Sequence, residues 1–254
     1  MEKIVSLAKR RGFIFPGSEI YGGLAGTYDY GPLGVILKEN VERLWLRMFR
    51  DDRDDMYGVD AAILMNAKVW EASGHVSGFS DPLVECEKCK KRFRADHIED
   101  TKKCPECGGA LGEVRQFNMM FQTHVGAAED ESALVYLRPE TAGGIFTNFK
   151  NIVDSLHPKL PFGIAQIGKA FRNEIAPRDF TFRLREFSQM EVEYFVKPSD
   201  WEQAFEEWRK LIQLFAEAIG LPQSMIHELE VPPEDRAHYS KRTIDFEFDY
   251  PFGR

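Results

Sequence analysis

Long apolar runs, glycine-rich phosphate loops and an excess of basic residues are all absent from this sequence of 254 residues. No window comes near the roughly 18 continuous apolar residues of a membrane helix, which excludes an ordinary membrane-spanning segment. Neither GxGxxG nor GxxxxGKS/T occurs, so a bound nucleotide would not be held in a Rossmann or P-loop manner. The formal net charge of −8 argues against a broadly basic surface, so any RNA contact must be local.

The N-terminus lacks the order of a secretory signal. The apolar residues between Ile4 and Ala8 come before the basic run Lys9–Arg11, whereas a signal peptide has its basic residues first. A cytoplasmic protein with no membrane partner is therefore the prediction. Hydrophobic residues make up 43% of the chain, an ordinary share that permits a sizeable core. One large domain, or a domain with a small insert, fits this length.

Cysteine is scarce, and its four copies are arranged in two pairs. Cys86-x-x-Cys89 and Cys104-x-x-Cys107 are separated by 14 residues. Because each pair can place two thiolates on one turn, the two pairs together predict a structural zinc site. Unliganded thiols and redox chemistry are the alternatives. Residues 85–112 are charged and poor in large aliphatic side chains, so they should form a zinc-ribbon insert that the metal stabilises.

Apolar periodicity predicts an α+β fold. Helices are expected at Leu33–Met48, Ala142–Phe149 and Trp201–Ile219. Strands are expected at Leu134–Leu137, Phe162–Arg172, Arg185–Phe195 and Thr243–Phe248. Because few helices separate these strands, the sheet should be mainly antiparallel and flanked by helices.

Charged and aromatic residues alternate along the second and third of these strands. Arg172 and Glu174 should share one face, since strand residues two apart point the same way. The second row comprises Arg183, Arg185, Phe187, Gln189, Glu191 and Glu193. Antiparallel pairing would bring the rows together, with arginines for a polyphosphate, a ring for a base and carboxylates for an amine. The alternative is a solvated sheet face with cross-strand ion pairs.

These strands resemble the second signature motif of the class II aminoacyl-tRNA synthetases. The matching segments are Phe171–Glu174 and Arg183–Phe187, while Tyr30–Gly34 resembles the first motif, which builds the dimer interface in that class. Three further segments resemble the glycyl-tRNA synthetase family, namely Trp70–His75, Arg94–His97 and Arg138–Ala142. The resemblance covers nearly the whole chain, and it implies a class II catalytic core with a zinc-ribbon insert.

The resemblance also implies roles for individual residues. Arg172 would be the catalytic residue, holding the α-phosphate of ATP. The implied ATP-binding set is Arg172, Asn173, Glu174, Phe182, Arg183, Arg185 and Phe187. The implied glycine-binding set is Arg94, Glu140, Phe187, Gln189 and Glu191. The reaction would use ATP with Mg²⁺, glycine and tRNA(Gly), in a cytoplasmic homodimer with structural zinc at Cys86, Cys89, Cys104 and Cys107.

Some features of the sequence depart from the pattern of that family. The predicted division is a core with the dimerisation motif at 1–84, the insert at 85–112 and the ATP and amino-acid site at 113–254. The third class II motif and the anticodon-binding domain have no counterpart, so the isolated chain is expected to be weak or inactive in aminoacylation. Gly143 stands where the family has glutamine. The alternatives are a synthetase-like paralogue that binds nucleotide or RNA without ligating, and a zinc-dependent RNA-binding module.

Overall fold

The computed structural model describes residues 1–127 and 133–253. Its α-helices are α1 (Glu2–Arg10), α2 (Pro32–Leu46), α3 (Ala67–Ala72), α4 (His75–Gly78), α5 (Ala142–Leu156) and α6 (Trp201–Ala218). Its first strands are β1 (Ile14–Pro16), β2 (Tyr28–Tyr30), β3 (Met56–Gly58), β4 (Leu64–Met65), β5 (Ser80–Glu85) and β6 (Arg92–Arg94). The remaining strands are β7 (Arg115–Asn118), β8 (Gln122–His124), β9 (Leu134–Leu137), β10 (Phe162–Phe171), β11 (Glu186–Phe195), β12 (Ile226–Glu230) and β13 (Ile244–Phe248).

The longest strands, β10 and β11, form an antiparallel pair that runs from Phe162↔Phe195 to Phe171↔Glu186. Strand β3 joins the other edge of β10 in parallel, giving the sheet order β11-β10-β3. The other described sheets are β4-β9-β8, β6-β5-β7, β1-β2 and β12-β13, and all of their pairings are antiparallel. The predicted α+β class with a mainly antiparallel sheet is confirmed.

The two faces of the β10–β11 pair have different neighbours. On one face, Met190, Val192 and Tyr194 of β11 pack with Trp45 of α2 and Trp208 of α6. On the opposite face, α5 covers only the end of the pair where β10 begins, with its Ile145 against Phe162 and Ile164 of β10. Because side chains alternate along a strand, the odd-numbered residues of β11 from Phe187 to Glu193 lie on this second, partly open face.

Every predicted element is present, although some ends differ, and the elements α1, α3, α4 and β1 to β8 were not predicted. Helix α5 continues to Leu156, well past Phe149, because Ile152 and Val153 extend its apolar stripe against the Phe162 cluster. Strand β12 was not predicted, although it pairs with β13 along its whole length. The predicted helix from Leu33 is α2, which ends at Leu46 and continues as a π-helical turn over Arg47–Asp51.

The boundaries of the predicted insert and of the predicted last segment remain predictions. Strands β5 and β7 flank the predicted insert, so the sheet that carries it runs from Ser80 to Asn118, and the division at 85–112 stays a prediction. The final residue of the predicted range 113–254 lies outside the described residues.

None of the helices in the described part of the chain is long and apolar enough to cross a membrane.

Candidate active site

The open face of β11 is joined to the start of α5 by hydrogen bonds. The backbone amide of Thr141, the residue before α5, donates to Oε1 of Gln189 at 3.1 Å. The Thr141 hydroxyl donates to a carboxylate oxygen of Glu191. Thr141 is itself fully buried. The segment ending in Glu140 and Thr141 is therefore held against the middle of β11, and Glu140 stands beside the open face.

Three carboxylates meet at this junction, and we call Glu140, Glu191 and Glu193 the acidic cluster. Burial raises the pKa of Glu193 to about 7, and the charges of Glu191 and Glu140 add to that rise. Burial also raises the pKa of Glu191, against a lowering by the Thr141 hydroxyl. Within residues 1–127 and 133–253, neither Glu191 nor Glu193 has an ion-pair partner. The cluster therefore favours a bound cation, which would relieve the repulsion.

Arg172 lies at the other end of the same face, directly after β10. Its guanidinium carbon is 5.5 Å from the ring centre of Phe79 and 5.3 Å from that of Phe187. Its Nε donates to the carbonyl of Pro139 at 3.2 Å. Among the described residues it forms no ion pair, so the remaining donors of the guanidinium are available to an anion.

The loop between β10 and β11 separates the predicted arginines. Arg183 makes no side-chain hydrogen bond or ion pair with any described residue, although its charge acts on Glu174. Arg185 instead donates to the carbonyl of Glu174 at 3.2 and 2.9 Å and to that of Ala25 at 2.8 Å. Its guanidinium therefore holds the loop. The expectation that Arg183 and Arg185 continue the strand row was wrong, because β11 begins only at Glu186.

Glu174 and its neighbours follow the same loop. The Glu174 side chain is buried, which raises its pKa, while Arg183 is the positive charge that opposes this most. Asn173 is held through its backbone N–H, which donates to the carbonyl oxygen of Met119 at 2.8 Å. Phe182 is half exposed, and its ring packs at 5.3 Å from Tyr250. Phe182 and Arg185 thus contact other parts of the protein. Glu174 and Arg183 lie close enough for the positive charge of Arg183 to act on the Glu174 carboxyl group.

Arg94 belongs to the sheet that carries the cysteines. It forms ion pairs with Asp81 at 2.8 Å and with Asp96 at 2.7 Å. Its positive charge also lowers the pKa of Glu174, so it lies on the loop side of the site. None of its contacts among the described residues is with the acidic cluster.

The sequence reasoning missed the part played by two residues. Glu193 was placed on the correct face but outside the candidate set, and its spacing of two from Glu191 was the available signal. Thr141 was noticed only as part of a motif, yet it bonds both Gln189 and Glu191. No sequence signal identifies those partners, because they lie 48 and 50 residues further along the chain.

The four cysteines lie together, as their spacing predicted. Their sulfur atoms are all within 4.8 Å of one another, with Cys86 and Cys107 at 3.5 Å and Cys89 and Cys104 at 3.7 Å. Four thiolates at a zinc–sulfur distance of about 2.3 Å would stand roughly 3.8 Å apart, so this arrangement fits a tetrahedral metal. The pKa of the Cys86 thiol is lowered to about 6, chiefly because the amide of Cys89 donates to it.

Residues 121–253, just over half of the chain, match the family model described as the tRNA synthetase class II core domain (G, H, P, S and T). The chain belongs to this family. Curated glycine–tRNA ligases match across all of it, including those of Treponema denticola at 53% identity and Alkaliphilus oremlandii at 50%. The chain spans 57% of the first relative's length and 61% of the second's.

Solved structures carry the same class II synthetase fold. A prolyl-tRNA synthetase from Cryptosporidium parvum, complexed with halofuginone and AMPPNP, superimposes with a TM-score of 0.63 at 13% identity. That match covers 95% of this chain and 39% of the other. A structure described as the RNA binding domain of threonyl-tRNA synthetase from Cryptosporidium parvum Iowa II gives a TM-score of 0.57 at 16% identity, covering 85% of this chain and 42% of that one. At these identities the likeness concerns the fold alone.

Gly143 lies so close to Trp70 that a side chain at this position would meet the indole ring. A Cβ atom at this position would lie 2.9 Å from the indole ring of Trp70. Trp70 is fully buried and packs with Met120 and Tyr136. The indole therefore occupies space that a side chain at position 143 would need, and the two residues define one wall beside Glu140.

Proposed function

We propose that this chain forms the ATP- and glycine-binding part of a glycine–tRNA ligase. The observation that carries the proposal is the shared face of β11, where Arg172 stacks on Phe187 at one end and the acidic cluster stands at the other. Such a face presents a cationic clamp to a phosphate and carboxylates to an amine. The curated relatives with that activity are longer than this chain, so the complete ligase activity is part of the proposal.

ATP is proposed to bind along the Arg172 end. Arg172 would hold the α-phosphate, Phe187 would stack on adenine, and Glu174 would accept a hydrogen bond from the adenine amino group. Arg183 would reach the outer phosphates, and the lack of a side-chain hydrogen bond or ion pair with any described residue leaves its guanidinium available for this role. Asn173, Phe182 and Arg185 would shape the loop around the nucleotide, since two of them already hold that loop by protein contacts.

Glycine is proposed to bind with its ammonium group in the acidic cluster. Glu140 and Glu191 would take the ammonium, Gln189 would fix their spacing through Thr141, and Glu193 would add negative charge beneath them. Glycine has no side chain to grip, so its affinity must come from its charged ends. Arg94 is proposed to act on the loop side, through its charge near Glu174.

The proposed reaction needs no enzyme nucleophile. A carboxylate oxygen of glycine bonds to the α-phosphorus of ATP while the bond from that phosphorus to its bridging oxygen breaks, releasing pyrophosphate. Arg172 stabilises the negative charge that develops on the α-phosphate. The 3′-terminal ribose hydroxyl of tRNA(Gly) then attacks the glycyl carbonyl and releases AMP. Catalysis is therefore alignment and charge neutralisation.

The metals have separate proposed roles. Cys86, Cys89, Cys104 and Cys107 would hold a structural zinc ion, since four thiolates leave no open coordination position. Mg²⁺ would enter with ATP as part of the substrate.

We further propose a cytoplasmic homodimer. The two copies would contact each other through α2, whose side chains Val35, Ile36 and Leu37 are exposed.

Titration of this chain with MgATP, with and without glycine, tests the proposal. Glycine should tighten ATP binding, and Glu191→Gln should remove that coupling while the control Glu207→Gln, on the exposed surface of α6, keeps it. Arg172→Ala should weaken ATP itself by about tenfold or more. ATP binding that ignores glycine would indicate the nucleotide-binding paralogue instead. Robust glycine-dependent ATP–pyrophosphate exchange would contradict the expected weak activity of the isolated chain.

A further inference from the structure

A line of polar contacts runs from the turn before α4 into the acidic cluster. The hydroxyl oxygen of Ser73 lies 2.8 Å from Nδ1 of His75. Nε2 of the same ring lies 3.4 Å from a carboxylate oxygen of Glu140. Among the described side chains, His75 is the only basic group within ion-pair distance of Glu140. The imidazole therefore stands between a hydroxyl outside the cluster and one of its three carboxylates.

The chemistry of these partners places a proton on Nε2. A carboxylate only accepts hydrogen bonds, so the nitrogen that faces Glu140 must carry hydrogen if the contact is favourable. The Ser73 hydroxyl also lies 3.3 Å from the carbonyl oxygen of Trp70, to which it can donate. An N–H faces Glu140 in the imidazolium, where Nδ1 donates to Ser73, and in the neutral tautomer in which Nδ1 accepts from Ser73. Contacts of about 3.4 Å at binding sites shorten once a ligand is in place.

The ring is fixed by its surroundings. It meets the buried indole of Trp70 edge-on, with ring centres 5.4 Å apart, and it also contacts Phe79 at 5.3 Å. The carbonyl of His75 accepts from the Asn118 side chain at 3.1 Å. Gly74, whose φ of +81° suits glycine, turns the chain so that this ring faces the site. The imidazole is therefore held in place before any ligand arrives.

Glu140 needs a hydrogen-bond donor more than Glu191 does. Glu191 already accepts the Thr141 hydroxyl, whereas no described hydroxyl or amide donates to the Glu140 side chain. The two like charges beside it would drive an unsupported Glu140 toward solvent. We propose that His75, oriented by Ser73, is a positioning residue that holds the Glu140 carboxylate toward the amino-acid ammonium. This proposal rests on the proposed function.

Glycine affinity in the presence of MgATP tests this role by calorimetry on the whole chain. His75→Phe keeps a ring against Trp70 and Phe79 but removes both nitrogens, so glycine should bind about tenfold more weakly. The affinity for MgATP alone should stay within about twofold of the unchanged protein, because Arg172 and Phe187 are untouched. His124→Phe, at an exposed histidine of β8, is the matched control and should change neither affinity.

Two further variants separate positioning from folding. His75→Gln retains an N–H donor and should recover part of the glycine affinity, and Ser73→Ala should give a smaller loss than His75→Phe. Unchanged glycine affinity in His75→Phe, an equal loss of ATP affinity, or no recovery in His75→Gln would each overturn the proposal. Absence of glycine binding in the unchanged protein would instead count against the proposed function, so the two failures are distinguishable.

Discussion

The sheet that carries the cysteines and the β10–β11 pair are stabilised in different ways. In the β6-β5-β7 sheet, Leu83 and Val84 are the large aliphatic side chains that are buried, and the turns beyond are organised around Cys86 and Cys104. The β10–β11 pair instead lies on an aromatic core that includes Trp45, and its far end is closed by α5. The first region is proposed to depend on a bound metal, whereas the second depends on apolar burial.

This difference explains why the repelling carboxylates lie beside β11 and not in the cysteine region. Because one face of β11 is anchored by Met190, Val192 and Tyr194, its opposite face can carry two carboxylates that Glu140, from the segment before α5, repels. The cysteine region has few buried aliphatic side chains, and its charged residues lie mostly at the surface, where some form ion pairs, as Lys91 does with Glu106. A strand with apolar support on one face can therefore carry repelling carboxylates on the other, whereas the proposed metal would supply the support that the cysteine region lacks.

Metal removal should give the largest effect and separates the two regions most clearly. Structural zinc sites are worth about 10–16 kcal/mol in small domains, so a chelator should unfold much of Ser80–Asn118. Hydrogen exchange should then show lost protection in β5 to β7 and retained protection in β10 and β11. Cys104→Ser should behave in the same way without chelator. Loss of protection in both regions would show that the contrast is wrong.

Ile164→Ala addresses the other side of the comparison. Ile164 is fully buried and pairs across the sheet with Glu193, so the cavity should lower the free energy of unfolding by about 2–5 kcal/mol. Denaturant unfolding of β10 and β11, followed by hydrogen exchange, measures this loss. Leu83→Ala in β5 is the matched control and should weaken only the metal-linked region. Equal responses from both variants would contradict separate supports.

Gly143→Ala sharpens the comparison at the wall of the site. The added Cβ would meet the Trp70 ring at 2.9 Å, and this overpacking should cost about 1–3 kcal/mol of the free energy of unfolding. Gly78→Ala at the end of α4 is a suitable control, because no atom lies within 4 Å of its added Cβ. Thermal unfolding measures both variants. A neutral result at position 143 would mean that Trp70 moves freely.

Glu193→Gln should give the smallest effect, and one that depends on pH. The pKa of Glu193 rises from the usual 4.5 to about 7 on folding, so its contribution to stability is complete below pH 4.5 and is lost as pH rises through 7. The variant escapes that loss and should be more stable by about 1–2 kcal/mol at pH 8, with no gain near pH 4.

Chemical denaturation at both pH values measures this difference. Glu186→Gln, at the exposed end of the same strand, is the control and should give no gain at pH 8, because Glu186 is already paired with Lys169 at 2.9 Å. A gain that is equal at pH 4 and pH 8 would remove the argument that the acidic cluster is held against its own repulsion.

The longest helices and strands were predictable because they follow from local pattern, whereas most of the short strands were not predicted. The alternation in β11 and the apolar stripe of α6 located these elements to within one residue of their observed ends. Helix α5 was predicted too short, since the charged and polar residues after Phe149 obscured a stripe that tertiary packing completes. Strand β12 was missed because its Glu228 and Glu230 are stabilised by arginines elsewhere, such as Arg209 and Arg242.

The sequence by itself determined which chemical groups this protein has and which of them can share a strand face, because alternation and Cys-x-x-Cys spacing are local properties of the chain. Tertiary structure alone decided that Thr141 bonds to β11, that Arg185 holds the loop, and that His75 reaches Glu140. Those contacts join residues up to 160 positions apart, and the free energy that selects them comes from burial and packing, which no local pattern encodes.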